Sequence, residues 1–485
     1  MANMNALMES ASQIRTEYKP APGHDKNDLG RGYIFGPGVR FQLGEASVQL
    51  LTSGGRMMGT VMLVYDPCAP HVKAPDSDQS ILEFARKRLI DAGLEIVAEI
   101  EGADPNSPIT HGFEVYGALK AAKPDAIVAV CGTSGLDSVS YSNALYLAHR
   151  AGLKDDPNRF WGAGKGKEAK GAITELMEET GYTLLPVVKA QLLSGATGHL
   201  TKYSNNTDNV RKPGVKSLII DPANRADLAI FDPEFTLSAP MRTRLDGAYD
   251  SGAHLFEPLL HTDPSGSEKY AKVQRVNNIG AAVLLNSVMP MTKNSSDLEI
   301  ATQIATASDM GGIMIDQLQG TGLPHLASFL FVDDLSHGAA CAITLPSYVA
   351  AFATRSPEAV RSIGKLYQEA GIGRDIDLTN LWGRDLGLAV GNMMIELARS
   401  TGYSASLSEV DVRGKPFSQE NLQALIEAAG LPKYASKLVG IGIKTVDEAG
   451  NPIPEGQKEA RETVGAWITA AFTGKLRDVP QFKPR

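Results

Sequence analysis

Cysteine is scarce: Cys68, Cys131 and Cys341 are the only three in 485 residues, and no two of them form a CxxC pair. That argues against a disulfide scaffold or a thiolate zinc site and fits a reducing compartment. Long apolar runs are missing too; no stretch reaches 18 consecutive apolar residues, so no transmembrane helix is expected. The opening stretch, MANMNALMESASQIRTEYKP, lacks the apolar core of a secretory signal and the Arg-rich, acid-poor bias of a transit peptide, so a cytoplasmic protein is expected. Positive charge is not in excess. The 47 Lys and Arg against 55 Asp and Glu give a net charge of −8, which argues against a nucleic acid or an anionic membrane as partner. What is present is an apolar content of 43%, near the globular average, in a chain long enough for two or three domains.

The first half alternates strand-like and helix-like signals. Residues 60–66 (TVMLVYD), 94–100 (LEIVAEI), 125–132 (DAIVAVCG) and 184–192 (LLPVVKAQL) read as strands, and 79–93 and 111–124 carry helical periodicity. Such alternation predicts a mostly parallel sheet covered by helices on both faces. After about residue 240 the pattern changes: 271–290, 297–312, 355–371, 385–402, 418–430 and 457–473 have helical spacing, and β-branched runs thin out. The fold expected is therefore α/β plus all-α, with a Rossmann-like domain over 1–240 and an all-helical domain over 241–485. The polar, Gly/Lys-rich stretch 152–172 reads as an exposed loop or lid. Within it GAGKGK (162–167) lacks the spacing and the leading strand of a P-loop.

Several short segments carry chemistry. The strand 125–130 runs into Cys131-Gly132-Thr133-Ser134-Gly135-Leu136-Asp137, a glycine turn whose amides and helix dipole suit a phosphate, although many such turns use glycine for tightness only. Asp66 closes an earlier strand, where an acid can accept from a ribose 2′-OH and repel a 2′-phosphate, or simply sit solvated before Pro67. The small, polar stretch 194–206, SGATGHLTKYSNN, reads equally as a loop facing a ligand or as a surface turn. Asp250 and His254, four residues apart, share a helix face with Cβ atoms roughly 5–6 Å apart, which suits one metal ion or an ordinary ion pair. His325 and His337 lie in a second cluster. Together the four make an N₃O donor set that suits Fe(II) or Zn(II). His199 and His261 stay unassigned, while His24, His71, His111 and His149 read as surface or packing residues.

In order, these segments resemble the iron-containing alcohol dehydrogenase family over nearly the whole chain. RGYIFGPGVRFQLGE (31–45) resembles the family's first strand and turn, VMLVYD (61–66) its cofactor-selecting strand, and GADPNSP (102–108) its acidic Pro-Asn-Pro turn. KPDAIVAVCGTSGLDS (123–138) is similar to its pyrophosphate loop, and SGATGHLTKYSNNTD (194–208) to its nicotinamide-side loop. KSLIIDPANRADLAIFDPEFTLSAP (216–240) resembles its hairpin and Asp-Pro strand. LDGAYDSGAHLFE (245–257), LPHLASFLFVDDLSHGAACAITLP (323–346) and LPKYASKL (431–438) resemble its two metal segments and its C-terminal signature. The chain departs from the family in its Cys131-Gly132-Thr133 triplet and at His199. The spacing of His325 and His337 is also shorter, and Phe329 stands where the family has a further histidine.

The resemblance implies a dehydroquinate synthase-like architecture, NAD and Fe(II) as cofactors with Zn(II) as the alternative metal, a small alcohol or aldehyde substrate, and a homo-oligomer. It implies Asp250, His254, His325 and His337 as metal ligands, and Asp66, Gly132, Thr133, Ser134, Asp137, Thr197 and Lys216 as cofactor contacts. His261 and His199 are the candidates for proton transfer. The competing expectations are a dehydroquinate-synthase-like lyase, a metal-free maleylacetate-reductase-like enzyme, and a non-catalytic nucleotide-binding subunit of an assembly.

Overall fold

The computed structural model describes residues 3–18, 32–53, 59–163, 171–210, 214–265, 267–412, 415–417, 419–447 and 450–484. His24 and residues 164–170 of the expected lid lie outside them. Strands β1 (Gly32–Phe35), β2 (Thr60–Tyr65), β3 (Glu95–Glu101), β4 (Ala126–Cys131), β5 (Gly162–Ala163), β6 (Val187–Gln191), β7 (Tyr203–Asp208), β8 (Val215–Ile220) and β9 (Leu228–Phe231) all fall in the first half. Six of them form one sheet in the order β1-β9-β6-β4-β2-β3, parallel at every pairing. β5, β8 and β7 form a separate small sheet.

Helices interleave with these strands: α1 (Met4–Tyr18), α2 (Leu43–Ser53), α3 (Ile81–Asp91), α4 (Ile109–Ala122), α5 (Thr133–Arg150) and α6 (Ala172–Thr180). Side chains alternate across each strand, so a sheet with helices on both faces must bury both sets. Val61 and Leu63 of β2 pack with Leu50, Phe84 and Leu89 of α2 and α3, while Met62 and Val64 pack with Val115, Leu136 and Val139 of α4 and α5. β4 is buried at all six positions. α3 begins with a reciprocal cap: Ser80 Oγ accepts from the Glu83 N–H, and Glu83 Oε2 accepts from the Ser80 N–H.

The second half contains α7 (Met241–His261), α8 (Glu268–Lys293), α9 (Leu298–Ile313), α10 (Leu323–Leu330), α11 (His337–Ala351), α12 (Pro357–Glu369) and α13 (Gly383–Ser400), followed by helices over Gln419–Ala429 and Pro454–Thr473. No helix among the described residues is long and apolar enough to cross a membrane. By contact density the chain divides into a sheet unit, 17–240 with 296–305, and a helical unit, 1–16, 241–295 and 306–485. The expected boundary near 240 is thus crossed by two short segments. The first belongs to the helical unit because Arg15 donates to Asp309 at 2.8 Å and to Thr306 at 2.7 Å.

The start of the stretch expected to be an exposed lid is packed instead. Phe160 is fully buried, and Trp161 stacks on Tyr141 with ring centroids 5.1 Å apart. Two adjacent aromatics have more apolar surface to hide than the surrounding glycines and lysines have polarity to expose.

Candidate active site

In the helical unit, α7 places Asp250, His254, Glu257 and His261 on one face, at steps of four, three and four residues. His325 lies in the first turn of α10, behind Pro324, and His337 is the first residue of α11. The chain enters α11 through Ser336, whose Oγ caps Ala339 N and donates to Asp246 Oδ2 at 2.6 Å, one turn before Asp250 on α7. These entries bring Asp250, His254, His325 and His337 together, with one donor atom from each within 4.8 Å of the others. His325 Nε2 lies 3.8 Å and His337 Nε2 3.6 Å from Asp250 Oδ1. The ring centroids of His254 and His325 are 4.7 Å apart, and those of His325 and His337 5.2 Å. Asp250, His254 and His325 are buried and His337 is partly exposed, so the cluster has one side toward solvent.

Small residues make this approach geometrically feasible. A Cβ on Gly338 would collide with the backbone carbonyl of Asp246, and one on Gly311 would fall 2.9 Å from His254 Cβ. Gly338→Ala is therefore expected to push α11 off α7 and separate His337 from Asp250, at a cost of about 1–3 kcal/mol for overpacking. Thermal unfolding and metal content of the purified variant check this; unchanged metal content would show that the helix crossing has slack.

Glu257 supports the cluster from behind and was not singled out by motif. Its Oε1 accepts from His325 Nδ1 at 2.6 Å and its Oε2 from the Gly322 N–H at 2.5 Å, with no exposure to solvent. Burial raises its pKa, opposed by those hydrogen bonds and by the charges of His261 and Lys437. Lys437, also buried, donates to Thr321 Oγ1 at 2.5 Å; burial lowers its pKa while Glu257 pulls it back up. Extending the Asp250–His254 face by one more step would have found Glu257. His261 follows on the same face, with Nε2 2.6 Å from Tyr348 Oη and Nδ1 3.2 Å from Gly320 O.

The sheet unit gathers the other candidates around the N-terminus of α5, an 18-residue helix whose dipole points there. Gly132 N–H is not free for a ligand as the glycine turn suggested: it donates to Asp66 Oδ2 at 2.9 Å. Asp66 also accepts from Cys68 N, so the carboxylate ties two strand ends together. Thr133 Oγ1 accepts from Gln191 Nε2, and Ser134 Oγ from the Asn106 N–H. Lys216 Nζ donates to Asn106 Oδ1 at 2.8 Å. Asn106 and Ser107 have φ of 69° and 51°, as the sharp turn of 102–108 requires. Asp137 is buried, which pushes its pKa up to about 7 against the opposing charges of Lys189 and Lys216. Lys189 interrupts the apolar strand β6 and donates to Ser140 Oγ, Gly198 O and Asn224 O. That lone cation within PVVKAQL was a signal the motif reading passed over.

Of the two readings of 194–206, the surface turn does not hold. Thr197, His199, Leu200 and Thr201 are buried, and the chain enters β7 at Tyr203. Thr197 has a φ of 54°, and Gly198 lies so close to Thr133 that a Cβ would fall 2.8 Å from its methyl. His199 sits between Tyr33 and Phe231, its ring 5.8 and 5.1 Å from theirs. His111 Nδ1 accepts from the Asp104 N–H, and His149 packs beside Tyr116 and Tyr146, consistent with packing roles.

No protein-family model matches the chain. Among known proteins, an NADPH-dependent butanol dehydrogenase of Clostridium saccharobutylicum is 22% identical over 335 residues, 68% of this chain and 77% of that one. Among solved structures, an alcohol dehydrogenase from Oenococcus oeni superposes with a TM-score of 0.68 at 18% identity, covering 91% of this chain and 98% of the other. An iron-containing alcohol dehydrogenase from Thermococcus thioreducens gives 0.62 at 19% identity, covering 89% and 97%. In fold the chain is thus similar to iron-containing alcohol dehydrogenases, and in sequence it is similar at 22% identity to a butanol dehydrogenase.

Proposed function

We propose that the protein is a metal-dependent, nicotinamide-linked alcohol dehydrogenase that interconverts a small alcohol and its aldehyde or ketone. The observation that carries this is the convergence of Asp250, His254, His325 and His337 within 4.8 Å. Three imidazoles and one carboxylate form a donor set of the right number and hardness for Fe(II) or Zn(II), and Fe(II) is the ion proposed. When bound, such an ion supplies Lewis acidity toward a substrate oxygen. The chain's own residues hold the donors in place: the Glu257–His325 bond puts the Nδ1 proton toward Glu257 and leaves Nε2 as the ligating atom.

For the cofactor, α5's N-terminus with Ser134 and Lys216 is the proposed anchor of the pyrophosphate, and Thr197 borders it through Gly198. Asp66, at the end of β2, disfavours a 2′-phosphate by charge, so NAD is proposed over NADP. The relative from Clostridium saccharobutylicum is described as NADPH-dependent, which makes this choice a sharp point of comparison.

The test is NADH formation from NAD⁺ with a panel of short alcohols and diols, run anaerobically with Fe(II), with and without a chelator, and repeated with NADP⁺. Chelator-sensitive reduction of NAD⁺ is expected. Silence of folded, metal-loaded protein across the panel would shift the reading to a lyase or a non-catalytic subunit.

A further inference from the structure

The turn that leads into α10 is gripped from several sides. Glu257 accepts the Gly322 N–H, and on the adjoining residue Thr321 Oγ1 accepts from Lys437 Nζ. Gly322 has no room for a side chain, because a Cβ there would collide with Tyr348 Oη and fall 2.6 Å from the His261 ring. Gly440, three residues beyond Lys437, closes on the same ring, and a Cβ at that position would collide with it as well. The segment 437–440 therefore meets the turn into α10 directly through Lys437 and, through the His261 ring that also meets Gly322, indirectly at Gly440.

Lys437 reaches further along that helix. Its ammonium lies 5.0 Å over the ring of Phe329, which places it between Thr321 and Phe329 with His325 midway in the sequence. The charged and titratable groups around it are Glu257 from α7, Cys341 from α11 and Tyr434 from its own segment, whose ring lies 6.3 Å from that of Phe329. A buried ammonium is costly to desolvate and is not expected where an apolar residue of similar length would fill the space more cheaply. The bonds it makes fix the turn from which His325 projects, and Glu257 fixes the ring of His325 itself.

We propose that Lys437 is a positioning residue for the metal centre: it clamps Thr321 while Glu257 clamps Gly322 and the His325 ring, so that the C-terminal segment sets how tightly the quartet holds its ion. The inference rests on the reading of Asp250, His254, His325 and His337 as metal ligands. It gives His261 a supporting part as the wedge between Gly322 and Gly440.

The experiment strips the full-length protein of metal and titrates it with Co(II) against a competing chelator, following visible absorption as well as affinity. Wild-type protein is expected to bind one Co(II) per chain. Lys437→Met and Thr321→Val are each expected to bind roughly 10–100-fold more weakly, the range for lost support of a ligating histidine, with a changed absorption band. Thr321→Val removes only the accepting oxygen, so it carries the test if Lys437→Met does not fold. Variants with wild-type affinity and spectrum would overturn the proposal while leaving the ligand reading intact. Wild-type protein that takes up no Co(II) would overturn the ligand reading itself.

Discussion

Replacing His254 by alanine is expected to lower metal-dependent alcohol oxidation on the order of a thousandfold, since loss of a bound Lewis acid removes several kcal/mol of transition-state stabilisation and each tenfold is about 1.4 kcal/mol. His254 is buried, and its ring stands 4.7 Å from that of His325, at the centre of the donor group. Asp250, His325 and His337 would remain, but three donors leave a position that water must fill. Metal content by elemental analysis should fall in parallel with activity. The variant should still fold, because alanine is a good helix former in the middle of α7 and keeps the Cβ that lies against Gly311. A variant that keeps both metal and rate would remove His254 from the ligand set. One that keeps metal but loses rate would assign it to substrate handling.

Trp467→Ala should have the largest effect on stability, about 3–5 kcal/mol for truncating a buried tryptophan. Trp467 lies on the 454–473 helix, is fully buried, and meets Tyr348 edge to face at 5.9 Å. Its indole N–H has no hydrogen-bond partner among the described residues. Trp467→Phe should therefore cost far less, since it keeps most of the apolar area and removes a donor that burial leaves unsatisfied. Urea midpoints of the two variants, measured on the metal-free protein, separate these expectations. Equal losses would mean that the indole itself, rather than the apolar area a phenylalanine keeps, decides the cost.

How much of this was legible beforehand differs from element to element. β4 reads directly, because an unbroken run of small and β-branched apolar residues ending in a glycine turn suits a strand covered on both faces, and its limits fall within a residue of the expected ones. The Asp250–His254 pair was visible as helical spacing. What brings His337 to it was not: that depends on Gly338 meeting the backbone of Asp246 and on Ser336 reaching the side chain of Asp246, both contacts between helices nearly a hundred residues apart. The stretch 194–206 left two readings open because a run of hydroxyl and amide side chains suits a ligand-facing loop and a solvated turn alike; burial of Thr197, His199 and Thr201, with His199 between Tyr33 and Phe231, removes the solvated turn. Composition reports polarity, and burial of polar groups is settled by partners that lie elsewhere in the chain.

The placement of α1 has a bearing on how the protein is made. Arg15 finds Asp309 only 294 residues later, so the first helix of the chain has to wait for that partner while the sheet unit between them is completed. At roughly 5–20 residues per second of synthesis, the wait is on the order of 15–60 s. During that interval Ala11 and Ile14, both buried in the finished molecule, stand exposed on a tethered helix. The order of emergence from the ribosome thus lets most of the sheet unit fold before the helical unit can close.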